Sequence, residues 1–272
     1  MPILYQDEKG DRVIDRGTET EMTSHASKVG KQFGTVAEAY LSSTVHSQGA
    51  DLEAITTRLR DQSAARVLDL GCGAGHLSFA VAPQVEAVVA YDLSAEMIDI
   101  VANEARRRDL RNVSTQRGQV ESLPFEDASF DWVCTRYSAH HWTEIRTALL
   151  EARRVLKRSG GLMVIDTCAP TSPLLDTHLQ TIELLRDTSH VRNYTPTEWK
   201  SMLTEAGFVV GAQSTWKLPL DFNAWIGRMK TPAVYVDAIR SLLHNAPREV
   251  IDYFHVAEDG SFTLDTIMME AG

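Results

Sequence analysis

Polar and apolar residues change their period along the chain, and each period predicts a type of element. Between residues 24 and 60 the apolar residues recur every three or four positions, which predicts helices, the second of them capped by Asp51. Short apolar runs then alternate with helical segments, and these runs are residues 66–70, 87–91, 130–135 and 162–165. Strands that alternate with helices predict a parallel sheet covered by helices on both faces.

A later helix has both of its ends marked in the sequence. Thr195 and Glu198 have the spacing of a capping box, Pro196 occupies the first helical position, and Gly207 marks the end. Beyond it, residues 208–216 have the pattern of a strand.

The carboxyl-terminal segment combines apolar alternation with a turn signal. Residues 253–269 read as two alternating runs around Asp259 and Gly260, a pattern typical of a hairpin. We therefore expect antiparallel pairing to complete the sheet.

Two further segments stand apart from the strand and helix alternation. Residues 221–250 contain helical stretches interrupted at Pro232 and Pro247, which predicts an inserted helical lobe. Residues 1–21 are rich in charge and lack sustained periodicity, which predicts a mobile amino-terminal extension. The expected organisation is this extension followed by one domain over residues 22–272.

Charge and hydropathy narrow the possible partners. The 272 residues carry a formal net charge of −10, which would repel the phosphate backbone of a nucleic acid. The arginines within residues 106–111 have the position of a solvated helix end, where cations face the negative end of the helix dipole. No run approaches the roughly 18 apolar residues that a membrane span requires. We expect neither a nucleic-acid partner nor a membrane span, and the oligomeric state stays open.

The cysteines indicate a reducing compartment. Cys72, Cys134 and Cys168 are odd in number and lack the paired spacing of a metal site. Reduced thiols in a cytoplasm are the simplest interpretation, and the amino terminus lacks the apolar core of a signal peptide.

A glycine-rich turn joins the first predicted strand to a helix. In VLDLGCGAGHL the residues Gly71, Gly73 and Gly75 would let the backbone pass close to a ligand. A dinucleotide fingerprint has the pattern G-x-G-x-x-G. Starting from Gly71 and Gly73, its third glycine would fall at position 76, where this chain has His76. The turn therefore favours a nucleotide-like ligand and disfavours a dehydrogenase.

An acidic residue ends the second predicted strand. Asp92 lies about 20 residues after the turn, at the position from which a carboxylate can bind both ribose hydroxyls of a nucleoside. It could instead cap the following helix, but its pairing with the glycine turn favours the ribose role.

An ordered succession of segments resembles the class I methyltransferases, and within them the group of the ubiquinone and menaquinone C-methyltransferases. The resemblance covers residues 33–208 and rests on QFGTVAEAY, VLDLGCGAG, AYDLSAEMI, RGQVESLPFEDASFDWV, SAHHW, EARRVLKRSGGLMVI and LTEAGF. It implies a Rossmann-like, doubly wound α/β fold. Its sheet would be seven-stranded and mostly parallel with an antiparallel last strand, accompanied by amino-terminal helices and the inserted lobe.

The resemblance also implies S-adenosylmethionine as cofactor and assigns residues to its polar parts. Asp69 would orient the glycine loop and help to receive the ammonium group of the methionine moiety. The backbone at Gly71 and Gly73 would approach the carboxylate, and Asp92 would hold the ribose.

Other residues would contact the adenine. Leu93 and Met97 would pack near the ring, and Gln119 with the amide of Val120 would read its edge. The family often has an acidic residue where Gln119 stands, but the glutamine carbonyl can still accept a hydrogen bond from the exocyclic amine. Tyr40 would close over the cofactor from the amino-terminal helices, or pack against the sheet.

Two adjacent histidines are the candidates for a catalytic base. His140 and His141 follow the strand of residues 130–135, at the carboxyl end where open α/β sheets bind ligands. His141 is the stronger candidate. Their adjacency and the lack of a third ligand nearby argue against a metal site.

The lid over the acceptor is expected in residues 169–193, where this family inserts its substrate lid. His178, His190 and Arg192 lie in that segment, and three residues of the inserted lobe would complete the pocket, namely Trp225, Arg228 and Met229.

These observations predict an enzyme that transfers a methyl group from S-adenosylmethionine to a small-molecule acceptor. The alternatives are an oxidoreductase that uses a nicotinamide cofactor and a non-catalytic protein that binds S-adenosylmethionine. The second alternative persists because methyl transfer requires no covalent residue.

Overall fold

The strands and helices alternate as predicted in a computed structural model, which describes residues 4–6, 12–14, 24–34 and 49–272. The strands are β1 (Leu4–Gln6), β2 (Arg12–Ile14), β3 (Arg66–Leu70), β4 (Ala87–Asp92), β5 (Val113–Arg117), β6 (Phe130–Arg136), β7 (Leu156–Cys168), β8 (Val210–Leu220) and β9 (Phe262–Ala271). The helices are α1 (His25–Gly34), α2 (Ala50–Arg58), α3 (His76–Val81), α4 (Ala95–Arg107), α5 (Ile145–Val155), α6 (Pro173–Arg186), α7 (Pro196–Glu205), α8 (Phe222–Arg228), α9 (Ala233–His244) and α10 (Arg248–Phe254).

The main sheet has seven strands in the order β5-β4-β3-β6-β7-β9-β8. Neighbours from β5 to β7 are parallel, and β9 is antiparallel to both β7 and β8. The chain moves outward from β3 in one direction and then returns to add β6 on the other side. The crevice between β3 and β6 is therefore the topological switch point, where open α/β sheets bind their ligands. The predicted Rossmann-like fold with an antiparallel last strand is confirmed.

Both faces of the sheet are covered by apolar side chains. Leu68, Tyr91 and Val133 belong to a buried cluster on one face, and Val67 and Cys134 belong to another. The alternation of neighbouring residues between two buried clusters explains why these strands read as continuous apolar runs.

The carboxyl-terminal hairpin prediction is wrong. Tyr253 lies in the helix α10, which begins after Pro247, and β9 pairs with β7 and β8 rather than with the preceding run. Val250 and Phe254 are both buried at helical spacing in a cluster with other helices, so tertiary packing outweighs the local alternation. The turn signal itself is real, because Gly260 has a φ of +87° immediately before β9.

The prediction that Asp51 caps α2 is also wrong. The capping position is Gly49, and Asp51 lies in the first turn of the helix, where its carboxylate pairs with Arg136 at 2.6 Å. Both side chains are almost fully buried, with exposed fractions of 9% and 6%. The carboxylate therefore binds a long-range partner that the local sequence does not reveal.

The helix α7 agrees with its sequence signals. The Thr195 side chain accepts a hydrogen bond from the Glu198 backbone, the Glu198 side chain binds the Thr195 backbone in return, and Pro196 begins the helix. Gly207 follows with a φ of +88°.

The helices α8, α9 and α10 pack together with α6 beside the end of the sheet. They are separated at Pro232 and Pro247 as predicted. Their shared cluster includes Leu179, Trp225 and Leu243, and it brings the lobe over the ends of β8 and β9.

Near the amino terminus, β1 and β2 pair with each other, and within the described ranges neither joins the main sheet. The mobility of residues 1–21 stays a prediction, as does the division of the chain at residue 22. Among the described residues, no helix is long and apolar enough to cross a membrane.

Candidate functional site

A cavity of about 320 Å³ opens at the switch point, along the carboxyl ends of β3, β4 and β6. We call it the cofactor cavity. It is lined by every predicted cofactor residue in the described part of the chain: Asp69, Gly71, Gly73, Asp92, Leu93, Met97, Gln119 and Val120. Tyr40 lies outside the described residues.

The glycine loop is tied to the neighbouring strand by backbone hydrogen bonds. The N–H groups of Gly71 and Cys72 donate to the Tyr91 carbonyl at 2.8 and 3.0 Å. Gly71 and Gly73 have φ values of +73° and +50°, which favour glycine. A Cβ at Gly71 would collide with the Ser138 hydroxyl, whereas nothing lies within 4 Å of a Cβ at Gly73. The loop thus presents bare backbone to the cavity at Gly73.

Asp69 anchors the start of α3. Its Oδ2 accepts hydrogen bonds from the Ser78 backbone at 3.0 Å and from the Ser78 hydroxyl at 2.6 Å. Burial raises the pKa of Asp69 to about 7, although both hydrogen bonds favour the charged form. The carboxylate therefore orients the helix that follows the glycine loop, and its contact with a ligand ammonium stays a prediction.

Asp92 joins the glycine loop to the end of β4. Its Oδ2 accepts from the Gly73 N–H at 2.8 Å, and its Oδ1 accepts from the Ser94 N–H at 2.9 Å. Burial raises the pKa of Asp92 while these backbone bonds oppose the rise. The cap of α4 is Ser94, whose hydroxyl accepts from the Met97 N–H. Asp92 is therefore not the side-chain cap of this helix.

Another part of the cavity lining is mainly apolar, with the amide of Gln119 and the carboxylate of Glu121 beside it. Met97 is 1% exposed and Val120 is 9% exposed, and Leu93 lies beside them along the wall. The backbone carbonyl of Gln119 accepts a hydrogen bond from the Tyr91 hydroxyl at 3.0 Å, which holds this segment against β4. An adenine-sized ring would find apolar faces and a side-chain amide here.

The loop after β6 crosses the mouth of the crevice in a strained conformation. Tyr137 has a φ of +52°, which is uncommon for a residue with a bulky side chain, and its N–H donates to the Ile165 carbonyl at 2.8 Å. A short 3₁₀ turn, Ala139–His141, follows directly. This geometry turns His140 and His141 into the interior.

The two adjacent histidines have different environments. His140 Nδ1 lies 2.5 Å from Asp166 Oδ1, and the His140 N–H donates to Asp166 Oδ2 at 3.1 Å. Burial lowers the pKa of His140, but the charge and hydrogen bond of Asp166 outweigh it, so the pKa is raised above its ordinary value. This residue does not line the cofactor cavity.

His141 lines the cofactor cavity and is held as a neutral ring. Its Nδ1–H donates to the Ser189 carbonyl at 3.1 Å, because a carbonyl can only accept. Its Nε2 lies 3.9 Å from Asp187 Oδ2. Burial and the positive charge of His140 lower the pKa of His141 to about 4. Near neutral pH, His141 therefore carries an unprotonated Nε2.

A second, smaller cavity of about 70 Å³ adjoins the first, and we call it the inner chamber. The two cavities share Phe33, Tyr137 and His141 in their linings. Of these two cavities, His140 lines only the inner chamber.

Some of the expected lid residues lie in this region, and the others make contacts elsewhere. Trp225 and Arg228 line the inner chamber, and the His190 ring lies 5.7 Å from that of His140. His178 stacks on Phe254 instead, and Arg192 pairs with Asp176 and Glu198. Met229 is buried, and its carbonyl accepts a hydrogen bond from Gln32.

Several residues near the site were not predicted from the sequence. His25 and Phe33 of α1 reach the cofactor cavity, and the Nε2–H of His25 donates to the His141 carbonyl at 3.2 Å. Asp166 could have been found, because it is a carboxylate inside the apolar run MVIDTC at the end of a strand. Within the described ranges, no group of three potential metal ligands is present.

Comparison with known proteins gives the family. Residues 61–207 match the family model described as a methyltransferase domain, which is more than half of the chain. The chain is 50% identical over 201 residues to the Escherichia coli (strain K12) protein YafE, covering 74% of this chain and 97% of YafE.

Two further relatives extend the likeness. The chain is 35% identical to the uncharacterized methyltransferase YcgJ of Bacillus subtilis (strain 168) over 88% of this chain and 96% of YcgJ. The crystal structure of YcgJ superposes with a TM-score of 0.78 over 81% of this chain and 97% of that structure. The chain is also 30% identical to the ubiquinone/menaquinone biosynthesis C-methyltransferase UbiE of Rhizobium leguminosarum bv. trifolii, over 61% of this chain and 66% of that enzyme.

The chain belongs to the class I S-adenosylmethionine-dependent methyltransferases. It is an enzyme of methyl transfer.

Proposed function

We propose that the cofactor cavity binds S-adenosylmethionine through the predicted residues. We further propose that the methyl group passes to a small-molecule acceptor that lies on the side of the cavity lined by His141. The observation that carries this proposal is the gathering of the predicted cofactor residues around one cavity at the sheet's switch point. A volume of about 320 Å³ is within the usual range of roughly 300–1,000 Å³ for ligand pockets.

The residues present fit this cofactor. The open space above Gly73 would admit the amino-acid end of the ligand against bare backbone. Asp92 supplies a carboxylate beside that loop, and Met97 and Val120 supply apolar surface beyond it. When bound, S-adenosylmethionine supplies a methyl group already activated by a sulfonium.

The chain's own residues then have two tasks, which are to align the acceptor and to exclude water. His141 presents an unprotonated Nε2 to the site, but its pKa of about 4 makes it a weak base. We therefore assign it to positioning of the acceptor, by accepting a hydrogen bond. His140 is further from the cofactor cavity and holds the turn in place through Asp166.

The direct test is calorimetry with S-adenosylhomocysteine and with NAD⁺. We expect binding of the first and none of the second. Preferential binding of NAD⁺ would overturn the cofactor assignment in favour of the oxidoreductase. A screen of acceptors with mass analysis of the products then tests the assignment of a small-molecule acceptor.

His141→Ala tests the acceptor side. Because His141 lines both cavities, turnover should fall more than cofactor affinity, and a positioning role predicts a loss below about 100-fold. Turnover measured at saturating cofactor separates the two effects. A larger loss with a changed pH profile would instead indicate a base, and collapsed cofactor binding with retained turnover would move His141 to the cofactor site.

His141→Asn is the matched variant, because an amide oxygen can still accept a hydrogen bond but cannot act as a base near neutral pH. Partial rescue of turnover by asparagine would support positioning. A cytoplasmic location belongs to the same proposal, and it is supported by three free cysteine thiols in the described part of the chain.

A further inference from the structure

The inner chamber combines apolar walls with buried polar groups that the cofactor assignment does not use. Its apolar lining comes from Leu218, Leu220, Trp225 and Leu264. Its polar lining includes Glu183 and Asn193, which are 7% and 2% exposed. Buried polar groups normally have hydrogen-bond partners, so each unpaired one calls for an explanation.

Asn193 brings an unpaired donor to the chamber. Its backbone is fixed on both sides by Gln180, whose Oε1 accepts from the Asn193 N–H at 3.0 Å and whose Nε2 donates to the Asn193 carbonyl at 2.8 Å. The side-chain Nδ2 is buried and has no hydrogen-bond partner among the described residues. The asparagine is thus held rigidly with its donor unused.

Glu183 brings an acceptor that is only loosely paired. Its Oε2 lies 3.7 Å from Arg186 Nη1, which is beyond hydrogen-bond distance. Arg186 is held elsewhere, because its Nε donates to the Trp225 carbonyl at 3.0 Å and its guanidinium lies 5.0 Å from the centre of the Trp225 ring. The carboxylate therefore retains capacity to accept a hydrogen bond.

The chamber selects among small chemical groups. A volume of about 70 Å³ admits one compact polar group on an apolar frame. A hydroxyl both donates and accepts, so it is the single group that matches both the Glu183 acceptor and the Asn193 donor. An ether could only accept, and an ammonium would leave the asparagine donor unpaired. A carboxylate would meet the arginines of the chamber but would also face the Glu183 charge.

We propose that the methyl acceptor carries a hydroxyl on an apolar, ring-sized frame and that this hydroxyl occupies the inner chamber, donating to Glu183 and accepting from Asn193. The rest of the acceptor then passes Phe33, Tyr137 and His141, which both cavities share, toward the cofactor. This assignment rests on the proposed function, since it needs the methyl donor in the cofactor cavity.

The test uses four fragments of similar size on the full-length protein saturated with S-adenosylhomocysteine. Phenol donates and accepts, anisole only accepts, benzoate is an anion and benzylamine is a cation. Binding is followed by the indole N–H resonance of Trp225 in a ¹⁵N-labelled sample, identified by its loss in Trp225→Phe. We expect phenol to bind at least about tenfold tighter than anisole, because only phenol can donate a hydrogen bond to the Glu183 carboxylate.

Two variants then test the partners. Glu183→Leu should reduce the preference for phenol over anisole to less than about threefold, because phenol then has no carboxylate to donate to. Asn193→Leu should weaken phenol and anisole alike by about threefold or more and keep the preference, because both fragments accept from Asn193. Glu183→Leu should fold with a lowered melting temperature, because it leaves the buried Arg186 guanidinium without its carboxylate partner. Asn193→Leu removes an unpaired buried donor and should leave the melting temperature unchanged or raised. Exposed residues of the lobe supply the matched controls Glu249→Leu and Asn245→Leu, which should keep the wild-type affinities for both fragments.

The outcomes separate this inference from the proposed function. Equal binding of phenol and anisole, tighter binding of benzoate or benzylamine, or no fragment binding at the chamber would overturn the hydroxyl assignment while S-adenosylhomocysteine binding stands. A wild-type protein that fails to bind S-adenosylhomocysteine would overturn the proposed function and this inference with it. The phenol preference, its loss in Glu183→Leu and an equal weakening of both fragments in Asn193→Leu would support the assignment.

Discussion

The Gly73 N–H donates to the Asp92 carboxylate at 2.8 Å, so one side chain joins the glycine loop to the end of the neighbouring strand. The same carboxylate accepts from the Ser94 N–H through its other oxygen. Asp92 therefore shapes the cofactor cavity as well as lining it.

Asp92→Ala should weaken binding of S-adenosylmethionine by about 1.5–3 kcal/mol, the range for hydrogen bonds to a charged group. Loss of the Gly73 contact places the value in the upper part of that range. Calorimetry measures it, and Asp92→Asn should fall between wild type and alanine because its amide oxygen still accepts. Unchanged affinity in a folded alanine variant would refute the ribose assignment.

Gly71→Ala should be far more destabilising than Gly207→Ala, although both glycines have positive φ values of +73° and +88°. Each substitution carries a backbone strain of about 1–2 kcal/mol. Only at Gly71 would the new Cβ overlap the Ser138 hydroxyl, since nothing lies within 4 Å of a Cβ at Gly207. This overlap adds about 1–3 kcal/mol.

Urea unfolding of the two alanine variants measures this difference. Gly71→Ala/Ser138→Gly should recover part of the extra loss, because it removes the overlapping hydroxyl. Equal destabilisation by the two single substitutions would show that the loop moves freely away from Ser138.

His140 and His141 should make opposite contributions to the pH dependence of stability. The folded pKa of His141 is about 4, so unfolding takes up a proton between pH 6.5 and 4, and this contribution to stability is lost as pH falls through that window. The folded pKa of His140 is raised, so its contribution is present below about pH 6.5 and is lost as pH rises through the folded pKa.

Melting temperatures of wild type and His141→Gln, compared from pH 7 to pH 4, test the first contribution. The decline toward acid should be shallower in the variant. Asp166→Asn tests the second, because it removes the charge that raises the pKa of His140. Histidine NMR titration should then show His140 protonating at lower pH, and an unchanged titration would contradict the assigned pairing.

Deletion of residues 1–21 should leave cofactor affinity and melting temperature nearly unchanged. The segment lacks apolar periodicity, and the described pair Leu4–Gln6 and Arg12–Ile14 stands apart from the main sheet. Differential scanning calorimetry of the shortened and full chains makes the comparison. A loss of several degrees would show that the segment docks on the domain.

The gathering of the predicted cofactor residues at one cavity could be anticipated because they are close together in sequence or repeat a strand-to-helix pattern. Gly71 and Gly73 belong to one turn, and Asp92 ends the next strand, so a parallel sheet brings them to the same edge. The error at Tyr253 has the opposite origin. Its local alternation predicted a strand, but packing of Phe254 into the helical cluster decided the conformation.

The sequence by itself determined the class of fold and the sheet edge at which the predicted cofactor residues meet, because strand periodicity, glycine spacing and helix caps are local properties of the chain. Only the tertiary structure distinguished His140 from His141, which are neighbours in sequence but face Asp166 and Ser189 respectively. It also brought Glu183 and Asn193 to one chamber. Such differences depend on burial and on charges from distant segments, and neither can be read from neighbouring residues in the sequence.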